Sequence, residues 1–150
     1  MNVDLEVVTI PVSDVDNALY FYRDQLGLRV DTDINRDEFR VVQMTPTGEG
    51  HTSIVFGRGI PLAAEPGSMR HLELVTSDIV ATRAELAERG VEVTEIYHGP
   101  GAPFFPAARI AGPDPNRTSY ASYASFTDPD GNGWTLQEVT DRLPGREPRN

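Results

Sequence analysis

Apolar positions along this chain follow two periods in alternation. Val15, Leu19, Tyr22 and Leu26 recur at steps of three and four, the spacing of one helix face. Ahead of them Val8-Thr9-Ile10-Pro11-Val12 reads as a strand running into Ser13-Asp14, with Asp14 or Asp16 joining Ser13 as oxygen acceptors for the free N–H groups of a helix start. Gly27 then supplies the stop. The same order returns later. Setting Asp14 over Asp78 superposes Thr9–Val15 on Glu73–Ile79, and the second helix also ends on a glycine, Gly90. Its apolar stripe, Ile79, Thr82 and Leu86, is narrower, and Arg83, Glu85, Glu88 and Arg89 are expected to be mostly solvated.

Strand-like segments follow each helix: 29–32, 39–44 and 52–57 in the first half, then 91–96, 119–126 and 134–139 in the second. The pattern is βαβββ twice. One helix per unit cannot both cover and close a sheet, so the pattern predicts an α+β fold in which two βαβββ units form an incomplete barrel with a concave inner face. The expected organisation is one domain over 1–143, with repeats of about 1–60 and 69–143. A linker rich in Pro, Gly and Ala spans 61–68, and a flexible tail spans 144–150. The second unit carries an insertion, 98–118, dense in Gly and Pro, with Phe104, Phe105, Arg109 and Ile110 embedded. Paired aromatics in a long irregular segment suggest a lid or an interface arm.

Composition narrows the chemistry. The 150 residues include no cysteine, which excludes disulfides, a thiolate nucleophile and sulfur ligation of a metal. A net charge of −10 opposes binding to nucleic acid or to an anionic membrane, because both require an excess of Lys and Arg. No apolar run approaches the roughly 20 residues needed to span a bilayer, and the first residues lack the features of a signal peptide. The expectation is a soluble cytoplasmic protein.

Asp128-Pro129-Asp130-Gly131-Asn132 has the composition of a type I turn and delivers the chain into Gly133–Val139, an alternating strand. Taken alone it reads as a surface hairpin. Together with the strand, capped helix and glycine stop near the N-terminus, it resembles the glyoxalase I, bleomycin-resistance and extradiol dioxygenase group, the vicinal oxygen chelate superfamily, over nearly the whole chain to about Leu143. In metal-dependent members of that group four strands each supply a ligand. Counted from the cap Asp residues and the turn, those positions fall on Val7, His71, approximately Val55 and Thr135. Only His71 is a ligand type, whereas a catalytic divalent ion needs three or four donors. The resemblance therefore implies a site with no metal and no cofactor. A rearranged set of His71, Glu73 and Gln137 is the alternative, strained because same-face strand positions lie about 6.5–7 Å apart.

Strand parity then defines a candidate pocket. Val7, Thr9, Ser53, Val55, His71, Glu73, Thr135 and Gln137 are expected to line the concavity beneath an arm bearing Phe104 and Phe105. Tyr120 and Tyr123 are placed on opposite faces of one strand, with Tyr123 taken as the lining residue, and Trp134 on the helix side. His71 is either a hydrogen-bonded structural imidazole or a base oriented by Glu73, which makes these two the candidate catalytic pair. His51 and His98 are read as loop residues at the rim without a ligating role, and no serine has a triad partner. The resulting expectation is a protein that captures a small, aromatic organic molecule, and the resemblance alone implies a homodimer. The alternative is a lyase, isomerase or ring-cleaving dioxygenase acting through a divergent metal site or an acid/base pair.

Overall fold

The computed structural model describes residues 1–61 and 64–147. Leu62 and Ala63 of the expected linker, and the last three residues of the expected tail, lie outside the described residues. The chain forms two compact units. One comprises residues 1–69 with 128–132, and the other 70–127 with 133–150.

In the first unit β1 (Val7–Thr9) lies parallel to β4 (Ser53–Arg58), which pairs antiparallel with β3 (Arg40–Thr45), itself antiparallel to β2 (Arg29–Asn35). A bulge between Val30 and Thr32 interrupts the last pairing. Alternation sets the layers. Val42, Met44, Ile54 and Phe56 point to one side and are buried with Ile10, Ala18, Phe21 and Tyr22, while Val41, Gln43 and Val55 stay half-buried on the other. Helix α1 (Val15–Tyr20) starts at Asp14, whose Oδ1 accepts from the N–H of Asn17 at 3.0 Å. It continues as a π-helical turn, Phe21–Gln25, before Gly27 at φ 81° ends it. Ser13 does not cap; its hydroxyl and N–H both donate to Asp130.

The Asp128–Asn132 turn is far from a simple surface hairpin. Asp128 and Asn132 are buried, and the Asp128 carboxylate accepts from the N–H groups of Asp130 and Asn132, from Asn132 Nδ2 and from the Tyr22 phenol. Asn132 Nδ2 also donates to the carbonyl of Pro11 at 2.8 Å. The turn is thus part of the first unit although it joins two strands of the second.

In the second unit β5 (Leu72–Thr76) runs parallel to β9 (Gly133–Glu138), and β8 (Ser122–Thr127) follows antiparallel. Two short strands, β6 (Tyr97–His98) and β7 (Ile110–Ala111), complete an open sheet of order β5-β9-β8-β6-β7. Helix α2 (Ile79–Glu88) is capped by Asp78, which accepts from Ala81 N–H at 3.1 Å. It turns Ile79 and Leu86 inward, and Phe126 and Trp134 stack at 6.3 Å with planes 3° apart. Trp134 is thus core, as strand parity indicates.

Four local expectations fail here. Residues 91–96 form no strand. Arg83, rather than being solvated, donates to the carbonyls of Val93 and Thr94, so those acceptors are withdrawn from a ladder. Tyr120 lies outside β8 at φ 70°, so it does not share a strand with Tyr123. His98 is not in a loop but in β6, its Nδ1 bonded to the carbonyl of Gly112 at 2.7 Å. Both sheets are open rather than closed into barrels, and mixed strands with few helices place the chain in the α+β class.

Candidate functional site

In the second unit the face away from Trp134 carries Glu73 and Val75 on β5, Thr135 and Gln137 on β9, Ser125 and Tyr123 on β8, and Tyr97 on β6, in direct register. Tyr97 and Tyr123 stack with centroids 5.7 Å apart and planes 27° apart. The Arg109 guanidinium sits over the Tyr97 ring at 4.1 Å. Below this stack the polar groups are already paired: the hydroxyls of Tyr97 and Ser125 lie at 2.6 Å, while Tyr123 Oη and Gln137 Nε2 both donate to the carbonyl of Tyr120. Gln137 is therefore a fixed strut, with its amide N–H committed to the backbone.

A cavity of about 290 Å³ opens beside this face, lined by His71, Thr94, Arg109, Ser125 and Thr135 among others, with a mainly apolar wall. His71 precedes β5 at φ 61°, a left-handed conformation uncommon for a side-chain-bearing residue. Its ring lies 4.8 Å from that of Phe104, at 54°. Phe104 and Phe105 are 60% and 66% exposed. No hydrogen bond joins His71 to Glu73, so Glu73 does not orient the imidazole in this structure. Loss of water over the sheet face, opposed in part by Arg146, pushes the Glu73 carboxyl above its ordinary value. Burial likewise raises the Tyr123 phenol, against an opposing hydrogen bond from Gln137, and the nearby Glu73 charge adds to the rise.

In the first unit Val7, Thr9, Ser53 and Val55 share one face, with Val7 opposite Ser53 and Thr9 opposite Val55. Ser53 is buried and its hydroxyl lies 2.6 Å from that of Thr45, which donates in turn to Asp31. The Thr45 hydrogen bond and the Arg29 guanidinium hold the Asp31 carboxyl below its ordinary pKa. A cleft of about 490 Å³ elsewhere in this unit is lined by Arg40 and Arg58, but both are engaged. Arg40 bridges Asp33 and Asp16 at 2.8 and 2.6 Å, which raises its pKa, and Arg58 donates to the carbonyls of Arg36 and Asp37.

The donor set does not suit a divalent ion. Among the described residues no three His, Asp or Glu side chains are grouped to hold one, and Val7, Val55 and Thr135 offer at most a hydroxyl.

A family model of the Glyoxalase/Bleomycin resistance protein/Dioxygenase superfamily matches residues 5–136. The chain belongs to this superfamily. Among solved structures it is similar to TnmS3, an antibiotic binding protein from Streptomyces sp. CB03234, at 32% identity over 92% of this chain and 97% of that one, with a TM-score of 0.69. A glyoxalase/bleomycin resistance protein from the same Streptomyces strain is 33% identical over 88% of this chain and 97% of its own, with a TM-score of 0.65. A superfamily member from Sphaerobacter thermophilus DSM 20745 is 29% identical over 91% and 98%, with a TM-score of 0.62. No curated protein matches the chain.

Sequence reading missed Tyr97, Arg70 and Glu92, and it noted Arg109 without a role. Tyr97 had a usable signal, its alternation with the register partner Tyr123, but the expected strand at 91–96 ended one residue too early. Arg109 reaches Tyr97 only because the 98–118 segment folds back through the β6–β7 pair.

Proposed function

We propose that this superfamily member binds a small aromatic organic molecule against the second sheet, with no resident metal ion. The observation that carries the reading is the Arg109–Tyr97–Tyr123 stack together with the 290 Å³ cavity that Arg109 and His71 line, the His71 ring being in contact with Phe104. Flat rings offer large contact area at low entropic cost, and the cavity lies near the lower bound for small-molecule pockets. Support also comes from the likeness to TnmS3, an antibiotic binding protein. His71, Thr135, Phe104 and Phe105 bind the ligand directly. Tyr123 and Gln137 shape the floor, and Val7, Thr9, Ser53 and Val55 share one face of the first unit. The protein acts in the cytoplasm, as a homodimer.

The test is a thermal-shift panel of bicyclic and polycyclic aromatics, followed by calorimetry and by elemental analysis of the purified chain. A ligand specific for the folded state raises the melting temperature. No shift with any aromatic probe, or a transition metal at one equivalent per chain, sinks the reading. The raised Glu73 carboxyl favours one second reading, proton transfer to or from a bound substrate by a lyase or isomerase. Turnover abolished by Glu73→Gln would establish it.

A further inference from the structure

Resting on the capture reading above, we infer that the ligand carries an anionic group beside its ring system, and that Arg109 is the residue that selects for it. The chain has 23 acidic against 13 basic residues, so carboxylate partners are in surplus. Arg23, Arg29, Arg40, Arg83, Arg89 and Arg117 each pair with at least one. Arg109 pairs with none among the described residues, although it is half-buried. Its Nε donates to the carbonyl of Ala102 at 3.3 Å and its plane rests on Tyr97, and these two contacts fix the group without neutralising it. Both terminal nitrogens remain without a hydrogen bond among the described residues, on a side chain that lines the cavity.

A partly desolvated guanidinium held in place by a ring and a carbonyl has its donors preorganised, and a planar carboxylate or a similar oxyanion matches their fork. Arg70 lines the same cavity, and Glu92 is the single carboxylate among its lining residues. The first unit's cleft shows the contrast, because there Arg40 is already saturated by Asp16 and Asp33.

The experiment compares 2-naphthoate with its neutral near-isostere 2-naphthamide by calorimetry at low salt, on the wild-type chain and on Arg109→Gln. The expected result is that wild type binds naphthoate about tenfold or more tightly, as charge-assisted pairing predicts. Arg109→Gln is expected to weaken naphthoate by about tenfold or more and naphthamide by a smaller factor, so that the preference for the anion is lost. Equal or tighter binding of naphthamide by wild type overturns this inference while leaving aromatic capture intact, and it requires no variant to fold. A naphthoate preference that survives Arg109→Gln overturns the role of Arg109. Binding of neither probe overturns the capture reading, and this inference with it.

Discussion

Tyr22 and Asp128 lie 106 residues apart in sequence, and the phenol of the first donates to the buried carboxylate of the second at 2.8 Å. Three further donors converge on the same carboxylate. Tyr22→Phe removes one of four hydrogen bonds and is expected to cost about 1–2 kcal/mol in urea unfolding. Asp128→Ala strands several donors at once and is expected to cost about 3 kcal/mol or more. Equal losses for the two would show that the carboxylate is not the hub.

Glu138 holds the second unit in a comparable way. Its carboxylate, 1% exposed, accepts two hydrogen bonds from Arg117 and one from the N–H of Ile79 at the start of α2. The Arg117 hydrogen bonds hold its pKa below the ordinary value of 4.5. A carboxyl depressed in the folded state contributes stability that is present above its unfolded pKa and is lost as pH falls through the folded one. Acid unfolding below about pH 4.5 is therefore expected to be blunted in Glu138→Gln, which at neutral pH is destabilised by about 1–3 kcal/mol.

Glu73 carries the opposite sign. Its raised pKa means that the folded chain holds a proton the unfolded chain has released, so stability falls as pH rises from about 4.5 through the folded value. Glu73→Gln is expected to flatten that part of the pH–stability curve. An unchanged slope in the variant would place the carboxylate in ordinary solvent.

His71 sits at φ 61°, where a side chain costs roughly 1 kcal/mol relative to glycine. His71→Gly is expected to raise stability by about 0.5–1 kcal/mol while weakening capture of an aromatic probe, because the partner of Phe104 is lost. Improved stability with undiminished binding would remove the imidazole from the site.

Phe104→Ala combined with Phe105→Ala removes two largely exposed rings, so the unfolding free energy is expected to stay within about 0.5 kcal/mol of wild type. Probe affinity is expected to drop severalfold. A large stability loss would show that the arm is core.

Much of the scaffold was legible because its signals are local. Asp14 and Asp78 cap as their positions suggested, and the alternation that put Val7 with Thr9 and Glu73 with Thr135 holds in the strand register. What escaped was set by distant partners. The carbonyls of Val93 and Thr94 accept from Arg83 on α2, a partner that residue spacing does not show, and the π-helical turn at Phe21–Gln25 has no counterpart in residue spacing. The site was half legible for the same reason. The lining residues on regular strands could be counted out, but Arg109 meets Tyr97 only through the course of a proline-rich loop, and the hydroxyl of Ser53 is consumed by Thr45.

The placement of Asp128–Asn132 within the first unit has a consequence for the order of assembly on the ribosome. Until residue 132 has emerged, the hydrogen bonds from the Tyr22 phenol to Asp128 and from Asn132 to the Pro11 carbonyl cannot form, so the N-terminal half completes this part of its structure only after residues 128–132 are made. A fragment ending at Met69 therefore lacks a piece of its own core.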